Sequence, residues 1–438
     1  MNMKYILFLT GILYSLTSSA QLSEYEQELL KNLASCVQVS NEFIASCQEF
    51  SAHAHQHQVA SVNAENNILF SHYPALRKSL SYISMGDLPT PVQCCTHINA
   101  QLPSTQLWIK DDGKTGIIAP DGCRRFGGNK LRKLQYLLAD AVAHGHTSVL
   151  TFGCAGSNHA LQTTVCARRL GLVPFCMLLP QVNSHTVQRN LLLQQADGAQ
   201  LCYATNRTEH AHNTAQTCYE QKQKAGQFPY IIPVGGSCAL GSLGYVEAAF
   251  ELKEQIKKGE LAKPDVIYVT LGSGGTAAGL LLGLKAAQLD CKVRLVLIAP
   301  ESASGTLERK VQTLFAEANA LLQSHDASFP TCSLEPDDYE VITKHTGKGY
   351  GVFTPESRFA IDTLAKQEGI TLDGTYTGKA FAAVLDDMTT GVCDGKTILF
   401  WNTFCGDDHH EITDTIDYHD LPEAFHRYFE TPVQELDR

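Results

Sequence analysis

From about Arg125 onward the apolar residues fall into two alternating kinds of stretch. Short runs that are apolar at nearly every position predict strands at 148–152, 174–179, 200–203, 230–232, 265–271, 292–298 and 397–402. Longer stretches with apolar positions at helical spacing predict helices at 158–170, 186–196, 209–225, 241–257, 276–287, 355–367 and 378–388. Strands that are apolar on both faces, joined by crossovers long enough to hold a helix, imply an α/β fold. Each sheet should be open, mostly parallel and covered on both sides.

The N-terminal part reads differently. Lys4 is followed by an apolar run at 5–16 that is too short to span a bilayer, and Ser18-Ser19-Ala20 ends it in small residues. This is a secretory signal pattern with cleavage before Gln21; it predicts an exported chain, periplasmic or secreted, with no membrane segment afterwards. If the segment is kept, the chain is cytoplasmic. Residues 21–87 are rich in Gln, Glu, His and Ser, and Leu29, Leu30, Leu33, Val37 and Phe43 recur at helical spacing, predicting a helical extension on the main body. His53 and His57 would share a helix face at metal-ligand spacing, but no carboxylate or cysteine completes a ligand set, so no metal is expected.

Charge and cysteine content narrow the function. The formal net charge of -11, with no block of Lys or Arg, excludes nucleic acid as a partner and favours small-molecule chemistry. The 15 cysteines are odd in number, and Cys176 and Cys291 lie within apolar runs, where cysteine behaves as a small hydrophobe; no disulfide framework is expected.

Three glycine- and hydroxyl-rich turns carry candidate chemistry. In Gly127-Gly128-Asn129-Lys130-Leu131-Arg132-Lys133, two glycines let the backbone bend sharply just before Lys130, whose amine can be desolvated there and made nucleophilic. Gly272-Ser273-Gly274-Gly275-Thr276 joins a predicted strand to a predicted helix, so its N–H groups form an anion cradle suited to one phosphate. A dinucleotide site would need G-x-G-x-x-G there and an acidic ribose partner, and neither is in place. Ser157-Asn158-His159 sits at a third turn, where Ser157 can cap the next helix or join a set of polar groups aimed into a cleft.

With these turns in order along the chain, the sequence resembles the pyridoxal phosphate enzymes of fold type II, and among them the D-cysteine desulfhydrase and 1-aminocyclopropane-1-carboxylate deaminase family. The resemblance rests on the Gly127–Lys133 stretch, Gly156-Ser157-Asn158-His159, Pro233-Val234-Gly235-Gly236-Ser237, Gly241-Ser242-Leu243-Gly244-Tyr245, 271–279, Gly349-Tyr350-Gly351 and Tyr376-Thr377-Gly378-Lys379. It implies two domains with the cofactor between them: a large one from 88–132 and 236–428, a small one from 133–235, and a tail at 429–438. It further implies a homodimer and a small amino-acid substrate.

By the same resemblance, Lys130 would hold pyridoxal phosphate covalently, Asn158 would bond its ring hydroxyl, and Gly272, Ser273, Gly274, Gly275 and Thr276 would bind its phosphate. Thr403 would sit at the pyridine nitrogen. Ser157, Asn158, His159, Tyr350, Tyr376 and Thr377 would face the substrate, with Ser157, Tyr350 and Tyr376 joining Lys130 in catalysis. The chain departs from the family at Gly156 and Leu161, where a glutamine and an arginine are usual, and at Phe404-Cys405-Gly406. The deaminases carry a glutamate and a leucine where this chain has Thr377 and Thr403, so the resemblance points to α,β-elimination of D-cysteine.

Overall fold

The computed structural model describes residues 61–62, 64–101, 104–118, 124–300 and 305–438. The predicted signal segment, the apolar positions 29–43 and the histidines at 53–57 lie outside the described residues.

Two sheets organise the chain. The larger contains β1 (Val92–Cys94), β2 (Gln106–Asp111), β7 (Val266–Leu271), β8 (Lys292–Leu297), β9 (Tyr339–Ile342) and β10 (Thr397–Asn402), in the order β9-β8-β7-β10-β2-β1. Only the β1–β2 pair is antiparallel. The smaller sheet contains β3 (Ser148–Cys154), β4 (Val173–Leu179), β5 (Gln200–Tyr203) and β6 (Tyr230–Ile232), all parallel, in the order β6-β3-β4-β5. β7 is buried at every position, as its unbroken apolar run requires of a strand covered on both faces.

Nine helices of twelve residues or more, among the described residues, cover these sheets: α1 (Lys130–Ala143), α2 (Asn158–Arg169), α3 (His185–Ala196), α4 (Arg207–Ala225), α5 (Ala239–Lys257), α6 (Gly275–Ala286), α7 (Thr306–His325), α8 (Pro355–Glu368) and α9 (Thr377–Thr389). α1 packs against α5 of the large sheet's cover and α2 of the small sheet's, so its first turn lies where the two bodies meet. The carboxyl ends of β7 and β10 on one side and of β3 on the other open onto that junction, the usual place for ligands in open α/β sheets.

Two differences from the sequence reading stand out. The stretch 299–354, with no predicted element, holds α7 and β9, and the stretch 88–125 holds β1 and β2. β2 ends in Lys110 and Asp111, both buried, so its sequence lacks the apolar run that marks the other strands. The end of the N-terminal extension belongs to the core. In the short helix Ile68–His72, capped by Asn67, Phe70 packs edge-on against Tyr82 and Tyr136 at 5.8 and 6.2 Å.

Candidate active site

Lys130 is the first residue of α1, and the chain before it is held from three sides. Gly128 N–H donates to the Asp112 carbonyl (2.8 Å) and to Thr115 Oγ1 (2.9 Å), and Asn129 N–H donates to the Thr403 carbonyl (3.1 Å). Gln162 Nε2 donates to the carbonyls of Phe126 and Gly127 at 2.6 and 2.5 Å. A Cβ on Gly127 would lie 2.0 Å from the Gly113 carbonyl oxygen, and Gly128 has φ +115, so both glycines are required by the bend that aims Lys130. Burial pulls the Lys130 ammonium down to about 8, against the opposing pull of Asp373.

A lysine at about 8 is roughly one-tenth neutral at pH 7 and nine-tenths neutral at pH 9. Capture of an aldehyde by the free amine should therefore speed up about tenfold over that interval, with its midpoint near 8. Mixing apoprotein with pyridoxal phosphate and following absorbance across pH measures this; a midpoint near 10 would show an ordinary, solvated lysine.

The Gly272–Thr276 turn joins β7 to α6. Gly274, at φ +93, turns the chain into the helix. Ser237 Oγ and Ser273 Oγ lie 2.7 Å apart, and Gly275 N–H donates to Ser237 Oγ (3.1 Å). Asn129 Nδ2 donates to Thr276 Oγ1 (3.1 Å), linking the lysine loop to the cradle. Lys133, one turn after Lys130, reaches this place too: it is wholly buried, and its ammonium donates to the Gly235 carbonyl (3.1 Å) and Ser237 Oγ (3.3 Å). Among the described residues it has no carboxylate partner, and burial, with Lys130 adding to it, drives it well below its ordinary value. A buried amine with only neutral oxygens around it holds its proton firmly once an anion joins it, and with a helix N-terminus and three hydroxyls beside it this is a donor set that a phosphate completes.

The other candidate residues divide. Tyr350 and Tyr376 are brought together: their hydroxyls hydrogen-bond each other and their rings meet edge-on at 5.9 Å. The Tyr376 ring lies beside Gly272 of the cradle. Burial pushes both phenols up, so they stay protonated. Thr403 Oγ1 lies 3.2 Å from Thr270 Oγ1, at the ends of β10 and β7. Asn158 opens α2 with its Oδ1 accepting from Asn190 Nδ2 (2.8 Å), and Ser157 caps the same helix through Ala160 N–H (3.2 Å).

Thr377 and His159 are placed deeper. Thr377 is fully buried, and its hydroxyl donates to Asp373 Oδ1 (2.7 Å) and accepts from Asp373 N–H (2.9 Å). His159 Nε2 lies 3.0 Å from Thr151 Oγ1 beneath the loop, and burial holds the ring neutral. Asn129, Lys133 and Ser237 lie within motifs whose pattern singles out other residues, and Asp373 lies outside all of these motifs. Asn129, Asn158, Leu161, Arg189, Thr403 and Phe404 line a cleft next to the lysine loop.

Comparison with known proteins bears on what this cleft holds. A family model described as pyridoxal-phosphate dependent enzyme matches residues 83–403. D-cysteine desulfhydrase of Klebsiella pneumoniae is 36% identical over 324 residues, 72% of this chain and 91% of that protein. A Pyrococcus abyssi protein provisionally named 1-aminocyclopropane-1-carboxylate deaminase is 33% identical over 331 residues, covering 75% and 93%. A crystal structure of an ACC deaminase homologue superposes with a TM-score of 0.64 at 30% identity, over 83% of this chain and 99% of that one.

Proposed function

Since the chain belongs to the pyridoxal-phosphate-dependent enzyme family, we propose that it is a lyase converting D-cysteine and water to pyruvate, ammonia and hydrogen sulfide by α,β-elimination. Pyridoxal phosphate would be held by Lys130, Lys133, Ser237 and the Gly272–Thr276 turn, and when bound would supply the electron sink for the α-carbon. The protein's own groups do the rest. The Lys130 amine, at about 8, is basic enough to take the α-proton and neutral often enough to do so near physiological pH. The carbon–sulfur bond then breaks with its electron pair going to sulfur, and thiolate is a good leaving group at neutral pH. The protonated Tyr350–Tyr376 pair can donate a hydrogen bond to that sulfur as it leaves. Released 2-aminoacrylate takes up water and gives pyruvate and ammonia.

One observation carries the choice of reaction. The groups that meet at the ends of β7 and β10 are two hydroxyls, Thr270 and Thr403. The nearby buried carboxylate, Asp373, is committed to the N–H groups of Tyr376 and Thr377 and to the Thr377 hydroxyl. A neutral hydroxyl such as that of Thr403, set at the cofactor's ring nitrogen, would leave it less firmly protonated than a carboxylate would, which suits elimination of a good leaving group better than opening a cyclopropane ring. The second reading, 1-aminocyclopropane-1-carboxylate deamination, is favoured by the name of the Pyrococcus abyssi relative.

Pyruvate release from D-cysteine, L-cysteine, D-serine and 1-aminocyclopropane-1-carboxylate, assayed side by side, decides between them. D-Cysteine should exceed the cyclopropane by about tenfold or more in kcat/KM, with one sulfide per pyruvate. Fastest turnover of the cyclopropane would overturn the argument from Thr403.

A further inference from the structure

Asn158 lines the cleft, and which end of its amide faces inward is decided by its bond to Asn190. The Arg189 guanidinium lies over the Phe404 ring, 5.6 Å from its centre, and its Nε and Nη2 donate to Asn190 Oδ1 at 3.3 and 3.2 Å. Asn190 is fully buried, and its Nδ2 donates both to the Gly156 carbonyl (3.0 Å) and to Asn158 Oδ1 (2.8 Å). A guanidinium has only donors and a backbone carbonyl only accepts. Asn190 is therefore gripped at both ends of its amide and cannot turn over without two mismatches. Asn158 must then offer its oxygen to Asn190, and its N–H2 group is left to point into the cleft as a donor.

We propose that Arg189 and Asn190 are positioning residues that hold Asn158 as a hydrogen-bond donor toward the bound cofactor. The bonds of the Arg189 guanidinium to Asn190 Oδ1 fix that oxygen as an acceptor. The acceptor the donor would meet is the cofactor's ring oxygen; the proposal rests on that assignment of Asn158 and is independent of which amino acid is cleaved. A flipped Asn158 would set carbonyl oxygen against ring oxygen and exchange a charge-assisted bond for a repulsion.

The relay makes an asymmetric forecast that a merely structural role does not. Asn190→Ala frees Asn158 to choose its orientation. Asn190→Asp, almost the same shape, has only acceptors and draws the Asn158 N–H2 group away from the cleft. Dissociation constants for pyridoxal phosphate, from titration of apoprotein followed by the visible band, should be about 10- to 100-fold weaker for Asn190→Asp than for Asn190→Ala. In an Asn158→Ala background that difference should vanish. Arg189→Met should likewise weaken binding when Asn158 is present and leave it unchanged when Asn158 is alanine. Equal affinity of the two Asn190 variants, or a difference that persists without Asn158, overturns the proposal. A wild-type protein that takes up no pyridoxal phosphate would instead remove the cofactor assignment itself, and this proposal with it.

Discussion

Lys130→Ala protein mixed with excess pyridoxal phosphate should show no visible band that survives gel filtration, and its pyruvate release should fall at least about 1000-fold. The loss should be this complete because the lysine in closest electrostatic contact with Lys130 is already engaged. The other buried lysine of the same helix, Lys133, is bonded to the Gly235 carbonyl and Ser237 Oγ, on the cradle side. The fold should tolerate the change. Alanine is a good residue for the first turn of α1, and the loop is fixed by backbone bonds from Gly128 and Asn129 that do not involve the lysine side chain. Asp373, the carboxylate nearest in charge, keeps its bonds to Tyr376 N, Thr377 N and Thr377 Oγ1. Far-UV circular dichroism and melting temperature should match the wild type. A variant that stays coloured would mean that another amine carries the cofactor.

The part of this site that could be read in the sequence is the part made by local chain geometry. Two glycines before a lysine, and a glycine-rich turn between an apolar strand and a helix, describe their own shape wherever they occur, so the bend before Lys130 and the strand–turn–helix at 272–276 followed from their neighbours. What could not be read depends on contacts across the chain. Lys133 looks like any charged helix residue until the fold sets Gly235 and Ser237, some hundred residues later, over it. Thr377 follows a tyrosine of the pocket and reads as its neighbour there, but Asp373 four residues earlier binds the Thr377 hydroxyl and turns it inward. The strand β2 was hidden for the same reason, because its buried Lys110 and Asp111 find partners far along the chain: Glu251 and Gln255 for the first, Asn402 for the second.

Arg132, also inside the lysine motif, carries the largest stability effect expected of a single side chain here. Its guanidinium is fully buried and donates to Asp112 Oδ1 (3.0 and 2.9 Å), to Glu251 Oε2 (3.0 Å) and Oε1 (2.9 Å), and to Thr90 Oγ1 (2.9 Å). Tyr245 OH and Trp401 Nε1 bond the other Asp112 oxygen, and Lys110 bonds Glu251, so two cations and two carboxylates balance in a closed network. Removing one cation strands a buried negative charge. Arg132→Met should therefore lower unfolding free energy by about 3–5 kcal/mol at pH 7.

The pH dependence gives this loss a signature. Although burial alone would raise Glu251, Arg132 and Lys110 hold it down at about 2, below the ordinary carboxylate range. A carboxylate depressed on folding contributes stability that is present above its unfolded value, about 4.5, and lost as pH falls through about 2. The gap between wild type and Arg132→Met should thus be widest above pH 5 and narrow toward pH 2.5, in urea unfolding curves run at both. A gap under about 1 kcal/mol at pH 7 would mean that the network relaxes around the missing cation. The same substitution should weaken cofactor binding, because Gly128 N–H hangs from the carbonyl of Asp112, the residue that Arg132 anchors, and the bend that presents Lys130 is built on that bond.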